Sequence, residues 1–181
     1  HFIKLGCEFI VCDFRGYGRS DGVPTLKSTL IDASTIYCYL RDNKFFKKNV
    51  CVMGRSLGSA SAIEICSRVP EITCCIIESG YADPIPLVER RGLNITNITP
   101  VEIALFSNSE KIRLVKCPIL IIHGEMDSLI SPREANLNYK NASSTHKKLA
   151  MLEEVGHNNI MMARENAYFS CISSFFSQVF R

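Results

Sequence analysis

Five short apolar runs, separated by stretches with helical spacing, limit what this chain can fold into. Cys7 to Asp13, Asn49 to Met53, Thr73 to Glu78, Cys117 to His123 and Lys147 to Glu153 are rich in Val, Ile, Leu or Cys, with little polar alternation. A strand with one wet face alternates apolar and polar residues, whereas a run without alternation is buried on both faces, as in a parallel sheet. Between the runs, Leu26, Leu30, Ala33, Tyr37 and Leu40 recur at helical spacing and form one apolar stripe. Leu57 to Val69 is mostly small and apolar, as suits a helix lying close on a sheet. Ser131-Pro132-Arg133-Glu134 reads as a capping box with proline at the first helical position. Tyr168, Cys171, Ile172, Phe175 and Val179 form a last stripe. Such alternation predicts an α/β fold, with a mostly parallel, doubly wound sheet of five visible strands flanked by helices. Tyr81 to Glu110 is the exception, with Pro84, Pro86 and Pro100 and no clean period, as in a functional or mobile connection.

Composition narrows the function classes. The 181 residues, 46% of them hydrophobic, suffice for one well-buried domain. Twenty-one basic residues stand against 18 acidic ones, a net charge of +3, with no basic stretch beyond Lys47-Lys48 and Lys147-Lys148. That balance argues against a nucleic-acid partner. No apolar run approaches the ~20 residues of a membrane-spanning helix. The nine cysteines are odd in number, sit mostly inside apolar runs and include no C-x-x-C pair. They read as core residues of a protein from a reducing, cytoplasmic compartment, with no metal and no cofactor expected. Three sequons, starting at Asn94, Asn97 and Asn141, run against that reading but arise readily by chance.

The chemistry is concentrated in Gly54-Arg55-Ser56-Leu57-Gly58, between a predicted strand and a predicted helix. A serine on such a turn is pushed out of the sheet edge, and flanking glycines Gly54 and Gly58 permit a tight turn and close helix packing. The helix N-terminus turns its positive end to the same spot, favouring an oxyanion. A serine needs a base, and the base an orienting carboxylate. Asp127 follows the run ending in His123-Gly124, and His157 follows the run ending at Glu153. All three positions lie past carboxyl ends of strands, where open α/β sheets place their ligands. Glu125 and Asp83 are the alternative acids, and His123 and His146 the alternative bases. Arg55 either orients a substrate or serves the structure, and Ser56 as a mere turn residue is the bland alternative.

The order Ser, Asp, His and the motifs around it resemble the α/β-hydrolase superfamily. Asp13-Phe14-Arg15-Gly16-Tyr17-Gly18-Arg19-Ser20-Asp21-Gly22 looks like the loop after that family's fourth strand, Gly54 to Gly58 its nucleophile elbow, His123-Gly124-Glu125-Met126-Asp127 its acid turn, and Gly156-His157-Asn158 its histidine loop. The likeness covers essentially the whole chain and is nearest the small-lid branch that includes protein depalmitoylases. It implies an α/β-hydrolase fold, with residues 1–181 as the carboxyl-terminal portion of one domain and a lid at about 81–110. It further implies a serine hydrolase in which Ser56 attacks an acyl carbonyl, His157 takes its proton, Asp127 holds the imidazole, and the Leu57 N–H is one oxyanion donor. The substrate would be an ester, thioester or amide, small or borne on an acylated protein, with peripheral membrane association open. A serine peptidase and a non-catalytic binding module on the same fold are the competing readings. By the same likeness, three strands and the loop carrying the second oxyanion donor belong before His1. A gap is then expected between the run ending at Asp13 and the run ending at Met53, and these residues alone are expected to be nearly inactive.

Overall fold

The structure is a computed structural model that describes residues 1–46, 48–89, 92 and 99–180. Four strands form: β1 (Cys51–Arg55), β2 (Cys74–Glu78), β3 (Ile119–Gly124) and β4 (Lys147–Leu152), all parallel and side by side in chain order. The helices are α1 (Leu26–Asp42), α2 (Gly58–Arg68), α3 (Pro84–Glu89), α4 (Pro100–Phe106), α5 (Asn108–Lys111), α6 (Pro132–Asn141), α7 (Ile160–Ala163) and α8 (Glu165–Val179).

Why the runs lack polar alternation is visible in β2 and β3. Cys75, Ile77, Ile119 and Ile121 pack on Ala33 and Tyr37 of α1, Ile63 and Cys66 of α2 and Ala135 of α6. Their neighbours Cys74, Ile76, Leu120 and Ile122 face the other way, onto Ile160 of α7 and Tyr168, Ile172 and Phe175 of α8. Strand residues alternate faces, so a sheet covered on both sides needs apolar residues at every position. A third apolar cluster, Leu30, Ala60, Tyr81, Phe106 and Ile130 with Leu87 and Leu105, joins α3 and α4 to the ends of α1 and α2.

The fifth predicted strand does not form. Residues 7–13 carry no ladder, β1 is an edge of the sheet, and Phe9, Ile10 and Val11 are exposed. A strand exists through its ladder hydrogen bonds, and among the described residues no strand lies beside this segment to supply them. Only Cys7 at its start packs against the core, and the apolar residues after it meet no covered face; Phe9 stacks instead on Phe2, centroids 4.8 Å apart.

Two local signals also differ in detail. Ser131 caps α6 with Pro132 in its first turn, but Glu134 turns away from the predicted box. Its carboxylate accepts from the backbone N–H of Ala82 (2.9 Å) and of Asp83 (3.3 Å). Conversely, Thr99-Pro100-Val101-Glu102 in the unperiodic stretch forms a complete capping box and starts α4. Asn94 and Asn97, which start two of the sequons, lie outside the described residues with Thr96 of the predicted lid, as does Lys47. The Asn141 amide donates to the Ser109 carbonyl at 3.1 Å.

Gly54 sits where α2 crosses β1. A Cβ there would lie 2.3 Å from the Gly58 carbonyl oxygen and 2.7 Å from the Ala62 Cβ, whereas a Cβ on Gly58 meets nothing within 4 Å among the described residues. Close packing of helix on strand thus calls for glycine at position 54 and not at position 58. Gly54→Ala is expected to destabilise by about 3 kcal/mol, the upper end of ordinary overpacking, because backbone cannot yield as a side chain can. Gly58→Ala should stay within about 0.5 kcal/mol. Urea unfolding midpoints of the two variants check the contrast.

Candidate active site

β1 ends at Arg55 and α2 begins at Gly58, so the chain reverses within Ser56 and Leu57. Ser56 adopts φ 53°, left-handed backbone that costs a non-glycine residue about 1–3 kcal/mol. The surroundings hold it there. Its N–H donates to the Glu78 carbonyl of β2 at 2.9 Å, and its carbonyl accepts from Ser59 N–H at 3.0 Å. Leu57 stands at the N-cap position of α2, so the serine lies at the helix's positive end.

The acid turn and the histidine loop are laced together by backbone. Glu125 N–H donates to the Leu152 carbonyl and Met126 N–H to the Val155 carbonyl, both at 2.9 Å. This seats Asp127, 4% exposed, where its Oδ1 accepts from the N–H groups of Leu129 (2.9 Å) and Ile130 (2.8 Å). His157 Nδ1 lies 2.8 Å from Asp127 Oδ2, and His157 Nε2 lies 2.8 Å from Ser56 Oγ. An ionised carboxylate only accepts, so Nδ1 carries the proton and Nε2 is left to accept the serine's. Burial pushes the Asp127 carboxyl up, but donors from His123, the Ile130 N–H and His157 outweigh it and hold the group down to about 2.

The other candidates fall elsewhere. Glu125 is exposed, and Asp83 accepts the hydroxyls of Ser107 (2.7 Å) and Ser109 (2.6 Å). His146 meets Gln178 Oε1 at 3.2 Å. His123 is fully buried; its Nε2 donates to the Ile130 carbonyl at 2.8 Å and lies 3.3 Å from Asp127 Oδ2. It closes β3 as a buried group and lies beside Asp127 rather than Ser56.

Glu78 and the hydroxyl of Tyr168, which no motif marks, also belong to the site. Arg55 and Glu78 are register partners across β1 and β2, and the Arg55 Nε donates to Glu78 Oε1 at 3.0 Å. Tyr168, counted above as an apolar stripe residue, donates its hydroxyl to Glu78 Oε2 at 2.6 Å. The available signal was an acid closing an otherwise apolar strand, which calls for a buried partner. Among the described residues, no cluster of His, Cys, Asp or Glu has the make-up of a metal site. No described helix is long and apolar enough to cross a membrane.

No family model matches the chain. It is 29% identical to Protein bem46 of Schizosaccharomyces pombe, over 98% of this chain and 60% of that protein. It is 27% identical to human Alpha/beta hydrolase domain-containing protein 17B, over 97% of this chain and 58% of that protein. The chain thus spans about three fifths of the length of the curated relatives it matches. Among solved structures, the Pyrococcus furiosus esterase Pf2001 superimposes with a TM-score of 0.74 at 23% identity, covering 92% of this chain and 69% of that one. The fold is the α/β-hydrolase fold, and the relatives include proteins named for it.

Proposed function

We propose that this chain carries the active site of a serine hydrolase that cleaves an ester, thioester or amide through an acyl-enzyme. The observation that supports the reading is the unbroken run of two 2.8 Å hydrogen bonds from Ser56 Oγ through His157 to Asp127. In the first half-reaction Ser56 Oγ bonds to the acyl carbon while its proton passes to His157 Nε2. The carbonyl becomes an oxyanion beside the Leu57 N–H, at the positive end of α2. Collapse expels the alkoxide, thiolate or amine, which takes the proton back from His157. Water then repeats the sequence against the acyl-enzyme, and the carboxylic acid leaves with Ser56 restored. Asp127 stays ionised throughout, holding the imidazole in the tautomer that accepts at Nε2. The acyl group belongs to a small molecule or to an acylated protein.

A fluorophosphonate probe tests this directly, because it captures only a serine that a neighbouring base has activated. The full-length protein should be labelled at one site, and digestion should place the adduct on Ser56. Folded protein whose Ser56 stays unlabelled would leave the binding-module reading in its place.

A further inference from the structure

We propose that Arg55, held by Glu78, is a positioning residue that fixes the depth of the His157 loop against Ser56; the inference rests on the serine-hydrolase reading. Arg55 immediately precedes the nucleophile, yet its side chain turns away from that turn to a loop 102 residues further on. Its Nη2 donates to the backbone carbonyl of His157 at 2.6 Å and to Asn158 Oδ1 at 3.1 Å. Its Nε is committed to Glu78 Oε1 at 3.0 Å. One planar guanidinium therefore joins the carbonyl of the base residue to the strand next to the nucleophile, and its fork allows no independent adjustment of the two.

Glu78 makes this clamp rigid. Its side chain is 1% exposed, with one oxygen facing Arg55 and the other taking the Tyr168 hydroxyl at 2.6 Å. Its backbone carbonyl accepts the Ser56 N–H at 2.9 Å. The same residue thus holds the nucleophile by its main chain and the base, through Arg55, by its side chain. Gly156 N–H to Asn159 Oδ1, at 2.8 Å, ties the loop to itself, whereas Arg55 ties it to the sheet. Buried and paired in this way, the carboxylate sets the Arg55 side chain in one place. Any slack in it passes straight to the 2.8 Å contact between His157 Nε2 and Ser56 Oγ.

Arg55→Ala in the full-length protein should lower kcat about 100-fold, as a displacement near 1 Å at a reacting pair does. KM should stay within about twofold, because the residue holds the base and not the substrate. Arg55→Lys should recover about tenfold of the loss, since an ammonium can restore a single contact of the fork. Arg55→Ala leaves Glu78 buried without its cation and so risks the fold. The double variant R55M/E78Q removes both charges and leaves the buried Tyr168 hydroxyl an acceptor; it should stay near the parental Tm and still show the roughly 100-fold fall in kcat. Parental kcat in folded R55A and in the double variant overturns the proposal. So does a loss confined to KM, which would make Arg55 a substrate contact. A parent protein whose Ser56 resists the fluorophosphonate probe instead overturns the hydrolase reading itself, so the two failures are distinguishable.

Discussion

Ser56→Ala should lose on the order of 10⁶-fold in kcat on an activated aryl ester, and His157→Ala about as much. The double variant should lose no more than either one. The reason is the geometry of the pair. On the proposed mechanism, Ser56 Oγ is a nucleophile only while His157 Nε2, 2.8 Å away, can take its proton. Removing either partner removes the same step, so the effects cannot add. The fold should survive, because Ser56 is held by its backbone bonds to Glu78 and Ser59, and alanine keeps both. Turnover by Ser56→Ala above one hundredth of the parental rate would exclude this serine as the nucleophile.

Asp127→Asn should fall on the order of 10⁴-fold in kcat with the fold kept. An amide in place of the carboxylate presents a donor to His157 Nδ1, which must then accept. The ring's proton moves to Nε2, where Ser56 needs a lone pair. Glu125→Gln, on an exposed carboxylate of the same turn, should leave kcat within about twofold. A reversal of those two effects would assign the acid to Glu125.

The same substitution has a signature in stability. The Asp127 carboxyl lies at about 2 in the folded protein, against 3.8 ordinarily. A depressed acid stabilises the fold above its unfolded pKa and loses that contribution as pH falls through the folded one. About 2 kcal/mol should therefore be present at neutral pH and fade between about pH 5 and pH 2. Asp127→Asn should lack this fraction of the acid-side slope in urea unfolding at stepped pH. An unchanged slope would show that the carboxylate is not held down as its donors imply.

Much of the fold was legible because burial leaves a local mark. β2 and β3 are apolar at successive positions since both their faces are covered, and α1 and α8 carry stripes since one face of each is. The order of Ser56, Asp127 and His157 was legible for a similar reason: each follows an apolar run, and a strand's carboxyl end is where a parallel sheet opens. Residues 7–13 show the limit. Their composition reports a preference for burial, but a strand also needs a neighbour, and composition does not say whether one is there. The Thr99-Pro100-Val101-Glu102 cap was as readable as the one at Ser131, yet the lack of a period around it hid it.

By itself, then, the sequence determined the class of fold, four of its strands, the elbow and the candidate triad, because each depends on residues within a few positions of one another. Tertiary structure alone decided the rest. It separated Asp127 from Glu125 and Asp83 by which carboxylate meets His157. It set the Gly54 position against α2 and left the Gly58 position open among the described residues. It turned Glu134 from a cap into a brace for Ala82 and Asp83, and Arg55 from an ambiguous cation into the link between Glu78 and the histidine loop. These are matters of distance between side chains far apart along the chain. Hydrogen bonds fail within an ångström of misplacement, and no local pattern encodes a separation that closely.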